Sequence, residues 1–495
     1  MFGMAPERKK EMKKLWMITG SQHLYGEDTL RQVAADAGEI AAYLDRQTAC
    51  GVACRPIVTT AEEITEALAA ANAEQECIGV ITWMHTFSPS KMWIQGLQLL
   101  QKPVLHLHTQ MNRSIPYDSI DMDFMNLNQS AHGDREHGFL YARLGKRRKV
   151  VAGYWKDRRV IEEIDVFAKA ALGWDQSKSL KVCRFGDNMR EVAVTEGNKV
   201  TAQMKLGWSV NGYGTGELAA EIGRVTPPET DALMKEYDES YTIVTKDLEA
   251  VRVQASYELG IRRFLEKGGF GAFTTTFEDL HGLKQLPGLA VQRLMAEGYG
   301  FGAEGDWKTA ALLRVMKVMA GGRATAFMED YTYHLAEGNE MILGAHMLEV
   351  CPSIAASDIK IDVQPLDIGN RQPPARMIFD GMTGSAICAS LIELGGRFRL
   401  IVAEVEGVKK PREMPRLPVA GAMWVPKPDF YSGLKAWLLA GGAHHTVLSF
   451  ALTKEHLKDF ARMADIECIV IDDKTDVERL ENDLMLSELL WKARG

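Results

Sequence analysis

The segment Leu15-Trp16-Met17-Ile18-Thr19, followed at once by Gly20-Ser21-Gln22-His23-Leu24-Tyr25-Gly26, decides the fold of the first third of the chain. Its apolar run predicts a buried strand, because strands covered on both faces are continuously hydrophobic. Strand and helix patterns then alternate, with predicted strands at 52–58, 77–83 and 103–108 and predicted helices at 30–44, 60–71 and 89–100. Repeated βαβ units indicate a parallel sheet with ligands at the carboxyl ends of its strands. The glycine-rich segment 20–26 follows such an end.

A second α/β block begins near residue 180, and the texture changes near residue 326. The second block has predicted strands at 180–185, 200–206 and 270–275 and predicted helices at 248–266 and 307–319. Beyond it, short β-type segments are separated by Gly and Pro, at 345–350, 359–363, 375–379 and 397–405. One helix at 454–463 and a last strand at 467–471 follow. This pattern favours an antiparallel barrel or sandwich.

Length and charge exclude several classes of protein. The chain has 495 residues, enough for about three domains. Its 58 Lys and Arg against 66 Asp and Glu give a net charge of −8, which argues against a broad nucleic-acid surface. Since no apolar run approaches the ~20 residues that cross a bilayer, we expect neither nucleic-acid nor membrane partners.

The N-terminus and the cysteines indicate a cytoplasmic protein. A basic cluster, Arg8, Lys9, Lys10, Lys13 and Lys14, is not followed by the long apolar core of a secretory signal, and we interpret it as a solvated tail. The seven cysteines form no CxxC pair, so reduced thiols are expected. They are Cys50, Cys54, Cys77, Cys183, Cys351, Cys388 and Cys468.

The segment Gly300-Phe301-Gly302-Ala303-Glu304-Gly305 matches the dinucleotide motif G-x-G-x-x-G. That motif requires a strand directly before its glycines, whereas residues 289–297 have a helical pattern. We therefore interpret the segment as a glycine-rich loop that frees the backbone around Glu304.

Two glutamates and two histidine segments suggest a metal site. Glu304, Glu329, His346 and the pair His444-His445 all lie in turn-rich, mostly Gly-flanked settings. Carboxylates with imidazoles favour Mn, Fe, Co or Zn. The spacings are long, so each residue could equally be a surface glutamate or a hydrogen-bonded core histidine.

Six blocks of the sequence, in order along nearly the whole chain, resemble the L-arabinose isomerase family. They are Gly20–Gly26, Asn126–Gly133, Glu304–Ala310, Phe327–Tyr333, His346–Pro352 and His444–Thr446. The resemblance implies two doubly wound parallel-sheet α/β domains, of Rossmann or flavodoxin-like type, followed by a β-barrel-like domain. We expect these domains at 1–179, 180–325 and 326–495.

The resemblance also implies an activity and its residues. The reaction would convert L-arabinose to L-ribulose, with D-galactose to D-tagatose as a side activity, in homohexamers or sometimes tetramers. The implied cofactor is Mn²⁺, with Co²⁺ or other divalent ions as substitutes. The implied ligands are Glu304, Glu329, His346 and His445, with both glutamates catalytic. The implied sugar contacts are Gln22, Leu24, Tyr25, Phe87, Gln129, His132, Met189 and Phe277, and the Gln22 and Gln129–His132 segments would close the site from a neighbouring subunit.

Aldose–ketose chemistry suits this set. Moving a carbonyl from C1 to C2 requires removal of the C2 proton and delivery of a proton to C1, which two carboxylates can share through an enediol. Four protein ligands leave two octahedral positions for a chelating diol. The acid and base roles of the two glutamates stay open.

Two alternative functions stay open, an isomerase of another aldose and a sugar-binding protein without catalysis. An isomerase of another aldose, similar to fucose isomerase, would use a comparable metal site. A sugar-binding protein without catalysis would have no need for two carboxylates and two histidines. If residues 443–450 form a strand, His444 and His445 point to opposite faces and cannot both reach one ion without a bulge. The resemblance to the family then implies that His445 is the ligand and that His444 faces away.

Overall fold

The computed structural model describes residues 13–366, 368 and 370–494, and the chain forms two compact units, Met1–Asp175 and Gln176–Gly495. Of the expected basic tail, Arg8, Lys9 and Lys10 lie outside the described residues. Lys13 and Lys14 do not belong to a solvated tail, because Lys14 begins the first strand and Lys13 pairs with Asp175 at 2.9 Å. The division into three domains stays a prediction.

The first unit is built on a five-stranded parallel sheet. Its strands are β1 Lys14–Gly20, β2 Gly51–Cys54, β3 Cys77–Met84, β4 Val104–His108 and β5 Lys149–Ala152. Its helices are α1 Gly26–Asp45, α2 Ala61–Ala73, α3 Ile94–Leu99, α4 Met122–Leu127, α5 Ser130–Leu144 and α6 Arg158–Ser177. The strand order β2-β1-β3-β4-β5 is the flavodoxin-like order, and it confirms the predicted doubly wound sheet.

The second unit begins with another parallel sheet, in the order β10-β9-β6-β7. The strands of this part are β6 Lys181–Phe185, β7 Ser209–Tyr213, β8 Thr242–Ile243, β9 Ala272–Thr275 and β10 Gly300–Gly302. The helices are α7 Lys199–Leu206, α8 Thr215–Ile222, α9 Pro227–Ser240, α10 Leu248–Gly268, α11 Gly288–Ala296 and α12 Trp307–Met319. The second α/β block is therefore confirmed.

The remainder of the second unit contains a closed antiparallel barrel. The strands are β11 Thr325–His334, β12 Met341–Ala345, β13 Lys360–Val363, β14 Ala375–Ile378, β15 Gly384–Glu393, β16 Phe398–Val408, β17 Gly421–Pro426, β18 His445–Ser449 and β19 Glu467–Ile471. The helices are α13 Phe430–Ala440, α14 Lys454–Ala464 and α15 Val477–Arg494. Six strands run in the order β15-β18-β11-β12-β17-β16, and β16 pairs back with β15 to close the ring. Strand β19 adds in parallel to β16, while β13 and β14 form a small sheet with β8.

Two predicted strands are wrong. Residues 199–206 form helix α7, because the Asn198 side chain accepts a hydrogen bond from the Thr201 amide at 2.9 Å and caps it, and because Ala202 and Leu206 share a buried face. Residues 346–350 lie beyond the end of β12 and form a turn. No prediction was made from the sequence for helices α4, α5, α6, α8, α9, α13 and α15.

The glycine-rich segment behaves as expected around Glu304. Helix α11 occupies the place where a dinucleotide motif needs a strand, and Gly300 and Gly302 themselves lie in β10. The backbone then turns through positive φ at Glu304 (58°) and Gly305 (77°).

Of the helices within the described residues, none combines the length and apolar character that crossing a lipid bilayer requires.

Candidate active site

Glu304 is held on a tight loop between β10 and α12. Its carbonyl oxygen accepts a hydrogen bond from the Met189 amide at 3.0 Å. The loop passes so close to a neighbouring segment that a Cβ on Gly305 would lie 2.5 Å from Cα of Asn188. Because Glu304 itself adopts a left-handed φ that costs a non-glycine residue about 1–3 kcal/mol, the surrounding contacts must hold it there.

Glu329 lies in β11, the barrel strand that pairs with β12 on one side and β18 on the other. It is the direct partner of Ala345 in β12 and of His445 in β18. Directly opposed residues of antiparallel strands project from the same face. The register therefore places the carboxylate of Glu329 beside the imidazole of His445, with His346 immediately after β12.

The four predicted ligands converge in the second unit. Nε2 of His445 lies 3.9 Å from Oε2 of Glu304, and Nε2 of His346 lies 3.8 Å from Oε2 of Glu329. The ring centroids of the two histidines are 5.8 Å apart. Both histidines are buried and both glutamates are mostly buried. These separations are too long for hydrogen bonds, so the facing groups are neighbours without being bonded to one another.

His444 joins the same cluster, contrary to the expectation that it faces away. Its Nε2 donates a hydrogen bond to Oε2 of Glu304 at 3.4 Å. One potential ligand atom each from Glu304, His444 and His445 lies within 4.8 Å of the others. The strand begins only at His445, so strand alternation does not apply to the preceding residue, and the two rings lie tilted at 56° with their centroids 4.3 Å apart.

The electrostatics of the cluster favour charged groups. Although burial opposes it, the hydrogen bond from His444 and the nearby imidazoles hold the pKa of Glu304 below its ordinary value. The same hydrogen bond raises the pKa of His444. Burial also opposes ionisation of His346, yet the Glu349, Glu329 and Glu304 carboxylates raise its pKa. The carboxylates of the cluster therefore favour protonation of His346 and His444, as expected where a cation can replace the proton.

A divalent metal suits this donor set. Nε2 of His445 is buried without a hydrogen-bond partner, and its ring directs that nitrogen towards the Glu304 carboxylate. A buried imidazole nitrogen left unpaired costs free energy unless something else binds it. Glu304, Glu329, His346 and His445 could hold the ion, and His444 is close enough to contribute.

Aromatic side chains pack against the histidines of the cluster. The ring of Phe327 packs against His346 at 5.0 Å and against His445 at 5.1 Å between centroids. Phe277, a predicted sugar contact, stacks with His346 at 6.2 Å. Met189, another predicted contact, is placed through its backbone bond to Glu304. Both predicted contacts of the second unit thus lie beside the cluster.

Four of the six predicted sugar contacts of the first unit, Tyr25, Phe87, Gln129 and His132, lie in contacting pairs near the ends of β1 and β3. The parallel strands β1 and β3 are neighbours, but the chain continues from β1 to β2 on one side of the sheet and from β3 to β4 on the other, which makes this a switch point. The segments that follow the two strands are joined by a 2.7 Å hydrogen bond between the Ser21 and Thr86 hydroxyls. Gln129 Nε2 donates to the Tyr25 hydroxyl at 3.2 Å. Tyr25 and Gln129 are therefore brought together at the place where such sheets bind ligands.

Histidine and aromatic contacts complete this group. His132 hydrogen-bonds Oε1 of Gln129 at 3.3 Å and stacks on Phe87 with centroids 4.6 Å apart. The Gln22 carbonyl accepts from the Tyr25 amide at 3.4 Å. Leu24 is 82% exposed, and no contact within the described part of the first unit ties its side chain to this group.

Comparison with known proteins decides the family. Models of the L-arabinose isomerase N-terminal, central and C-terminal domains match residues 9–179, 181–322 and 324–467. The chain belongs to the L-arabinose isomerase family. Relatives named L-arabinose isomerase include those of Geobacillus stearothermophilus, 59% identical over 97% of this chain and 99% of the relative, and of Bacillus subtilis, 53% identical over 97% and 98%.

Solved structures add little to this assignment. An arabinose-binding protein from Geobacillus stearothermophilus covers 62% of this chain and 88% of its own, at 12% identity and a TM-score of 0.15. A likeness at that level supports no conclusion about an L-arabinose isomerase family member.

Three residues of this L-arabinose isomerase family member form hydrogen bonds with the proposed metal ligands that the sequence did not predict. Asp306 and Glu349 accept hydrogen bonds from His445 and His346, and His444 contacts Glu304. Glu349 stands three residues after His346, a spacing that could have drawn attention to it. Asp306 is 139 residues from His445, so only the folded chain shows that pair.

Proposed function

We propose that the protein interconverts L-arabinose and L-ribulose as a metal-dependent aldose–ketose isomerase. Its support is the convergence of Glu304, Glu329, His346 and His445 in a chain whose full-length relatives are named L-arabinose isomerase. By the same family relation, D-galactose is a second substrate that yields D-tagatose.

In this proposal the two glutamates move protons. One carboxylate removes the proton from C2 of the open-chain sugar to give the enediolate. The ketose forms when C1 gains a proton and the hydroxyl proton of O2 has passed to O1, and the other carboxylate takes part in these transfers. Low exposure keeps water away from both carboxylates, and the lowered pKa of Glu304 keeps its carboxylate ionised at neutral pH. Removal of the C2 proton comes before protonation of C1, whichever glutamate acts as the base.

We assign Mn²⁺ as the ion, with Co²⁺ as a substitute, held by Glu304, Glu329, His346 and His445. Mixed oxygen and nitrogen donors suit these metals. When bound, the ion supplies Lewis-acid stabilisation of the negative charge that develops on the sugar oxygens. The protein's part is to fix the donors, and the buried, unpaired Nε2 of His445 supports this assignment.

The sugar contacts are assigned to both units. Met189 and Phe277 lie beside the cluster, whereas the Tyr25–Gln129 and Phe87–His132 pairs lie at the switch point of the first unit. Gln22 and Leu24 are assigned from the family resemblance alone.

We further propose a cytoplasmic homo-oligomer, a hexamer or a tetramer, in which the first unit of one subunit completes the site of another. In that case the isolated monomer is inactive. Specific activity measured against protein concentration, beside mass by light scattering, tests this proposal, and an active monomer refutes it.

Metal removal tests the activity itself. Protein stripped of metal should form no ketose from L-arabinose, and added Mn²⁺ should restore it. The matched control is Glu304→Gln, which should remain inactive with Mn²⁺ present. Undiminished turnover by the stripped protein would contradict metal dependence, and turnover of another aldose in preference to L-arabinose would contradict the substrate.

A further inference from the structure

We infer that Glu349 and Asp306 are positioning residues, which turn the Nε2 atoms of His346 and His445 towards the two proposed catalytic glutamates. The inference rests on the proposed function for its purpose, but its geometry stands independently. Each histidine has a carboxylate on its Nδ1 side and a different carboxylate facing its Nε2.

The two arrangements match atom by atom. His346 Nδ1 donates to Oε2 of Glu349 at 2.5 Å, while its Nε2 lies 3.8 Å from Glu329. His445 Nδ1 donates to Oδ2 of Asp306 at 3.2 Å, while its Nε2 lies 3.9 Å from Glu304. An ionised carboxylate only accepts hydrogen bonds. Each Nδ1 therefore carries the proton, and in the neutral ring each Nε2 presents its lone pair.

Asp306 is held in place by several contacts in addition to its hydrogen bond with His445. It caps helix α12, accepting from the Thr309 amide at 3.2 Å and from the Thr309 hydroxyl at 2.7 Å. The ammonium of Lys308 stands 3.7 Å away and is itself anchored to the Thr195 carbonyl at 2.9 Å. Asp306 is 1% exposed. These contacts restrict the Asp306 carboxylate to one orientation. Because the ring of His445 is hydrogen-bonded to that carboxylate, its orientation is restricted as well.

Glu349 is fixed through the turn after β12. The guanidinium of Arg376 donates to the Met347 carbonyl at 3.1 Å and to the Gln364 carbonyl at 2.7 Å, which pins the turn between His346 and Glu349. Glu349 is 1% exposed and Arg376 2% exposed. Carboxylates behind metal-binding histidines set the tautomer and the ring orientation, and their loss typically weakens metal binding ~10–100-fold.

The test combines metal affinity with the protonation pattern of the rings. Glu349→Ala and Asp306→Ala should each weaken Mn²⁺ binding, measured by calorimetry on metal-stripped protein, by ~10–100-fold. Glu349→Gln and Asp306→Asn keep an accepting oxygen and should recover most of that loss. The control is Glu258→Gln, which removes a buried carboxylate bound to Tyr237 and Arg262 and should lower stability without changing Mn²⁺ affinity.

The second readout needs no metal. In metal-free protein with ¹⁵N-labelled histidine rings, studied at alkaline pH where imidazoles are neutral, His346 and His445 should show the Nδ1–H tautomer. The alanine variants should lose it and the amide variants should keep it. Alanine variants that bind Mn²⁺ within twofold of wild type, or an Nε2–H tautomer in wild type, would overturn the inference.

A failure of the proposed function, and a failure of an alanine variant to fold, can each be distinguished from a failure of this inference. If the wild type binds no Mn²⁺, the proposed function fails, yet the tautomer still decides whether the two carboxylates orient the rings. If an alanine variant does not fold, the corresponding amide variant still decides, because an acceptor that failed to keep the tautomer would refute the positioning role.

Discussion

Glu329 of β11 and His445 of β18 are direct cross-strand partners. Their pairing places a carboxylate and an imidazole on the same face of the barrel, beside Glu304. A register slip of one residue would move one of them to the opposite face. The geometry of the cluster therefore depends on the register in which these two strands pair.

The two glutamates should be indispensable for turnover. We expect Glu304→Gln or Glu329→Gln to lower kcat by ~10²–10⁴-fold or more, because each change removes a proton carrier together with a charged ligand. Steady-state kinetics on L-arabinose measures this. Glu337→Gln, the same change at an exposed position of the β11–β12 hairpin, is the control and should be silent. Retention of more than about a tenth of wild-type kcat by either cluster variant would disprove its role.

The adjacent histidines should differ in degree. His445 is fully buried with an unpaired Nε2, whereas the His444 side chain is 35% exposed and hydrogen-bonded to Glu304. We expect His445→Ala to weaken Mn²⁺ affinity by more than ~100-fold and His444→Ala by about tenfold or less, since only the former removes a proposed ligand. Calorimetric titration of both variants checks this, and the reverse order would reassign the ligand.

A single methyl group at Gly344 should disturb the barrel next to His346. A Cβ there would meet the ring of Trp424, a fully buried residue, at 1.9 Å. Gly344→Ala should lower stability by about 1–3 kcal/mol or more through overpacking. Thermal unfolding measures the loss. Gly216→Ala in α8, where a Cβ meets nothing within 4 Å, should be neutral or slightly stabilising, and an equal loss there would rule out the steric explanation.

The carboxylate of Glu467 should stabilise the C-terminal region in a pH-dependent way. Although burial opposes it, hydrogen bonds from Arg399 and from the Ser487 hydroxyl in α15 hold its pKa below the ordinary value of 4.5. A lowered pKa in the folded state contributes stability that is present above the ordinary value and lost as pH falls through the folded one.

We therefore expect Glu467→Gln to lower Tm at neutral pH, and the difference from wild type to shrink as pH falls below 4.5. The exposed Glu481→Gln in α15 is the control and should shift Tm little at any pH. A difference in Tm that stays constant with pH would show that packing, not charge, is lost.

Local patterns predicted much of this fold. Helix α12 and strand β19 have the bounds that the sequence indicates, because their apolar spacing and their flanking residues agree. Residues 199–206 misled because Val200 and Thr201 favour strands in isolation, while the Asn198 cap and the buried pair of Ala202 and Leu206 decide for a helix.

The cluster could be predicted only in part. The residue types at 304, 329, 346 and 445 indicate a metal, but their convergence depends on strand register. The position of His444 depends on where β18 starts, a boundary that local propensity does not fix. The bond between His445 and Asp306 joins residues 139 apart, so it is a product of tertiary packing.

The ring of six barrel strands also sets an order of events during synthesis. Every strand of the first sheet comes from the first 152 residues, whereas β11 stays without one neighbour until residues 445–449 have been made. Folding on the ribosome starts from the N-terminus. A nascent or prematurely terminated chain that ends before residue 445 therefore carries open edges at β11 and β15, which are templates for aggregation. The proposed chemistry is among the last capabilities that the growing polypeptide acquires.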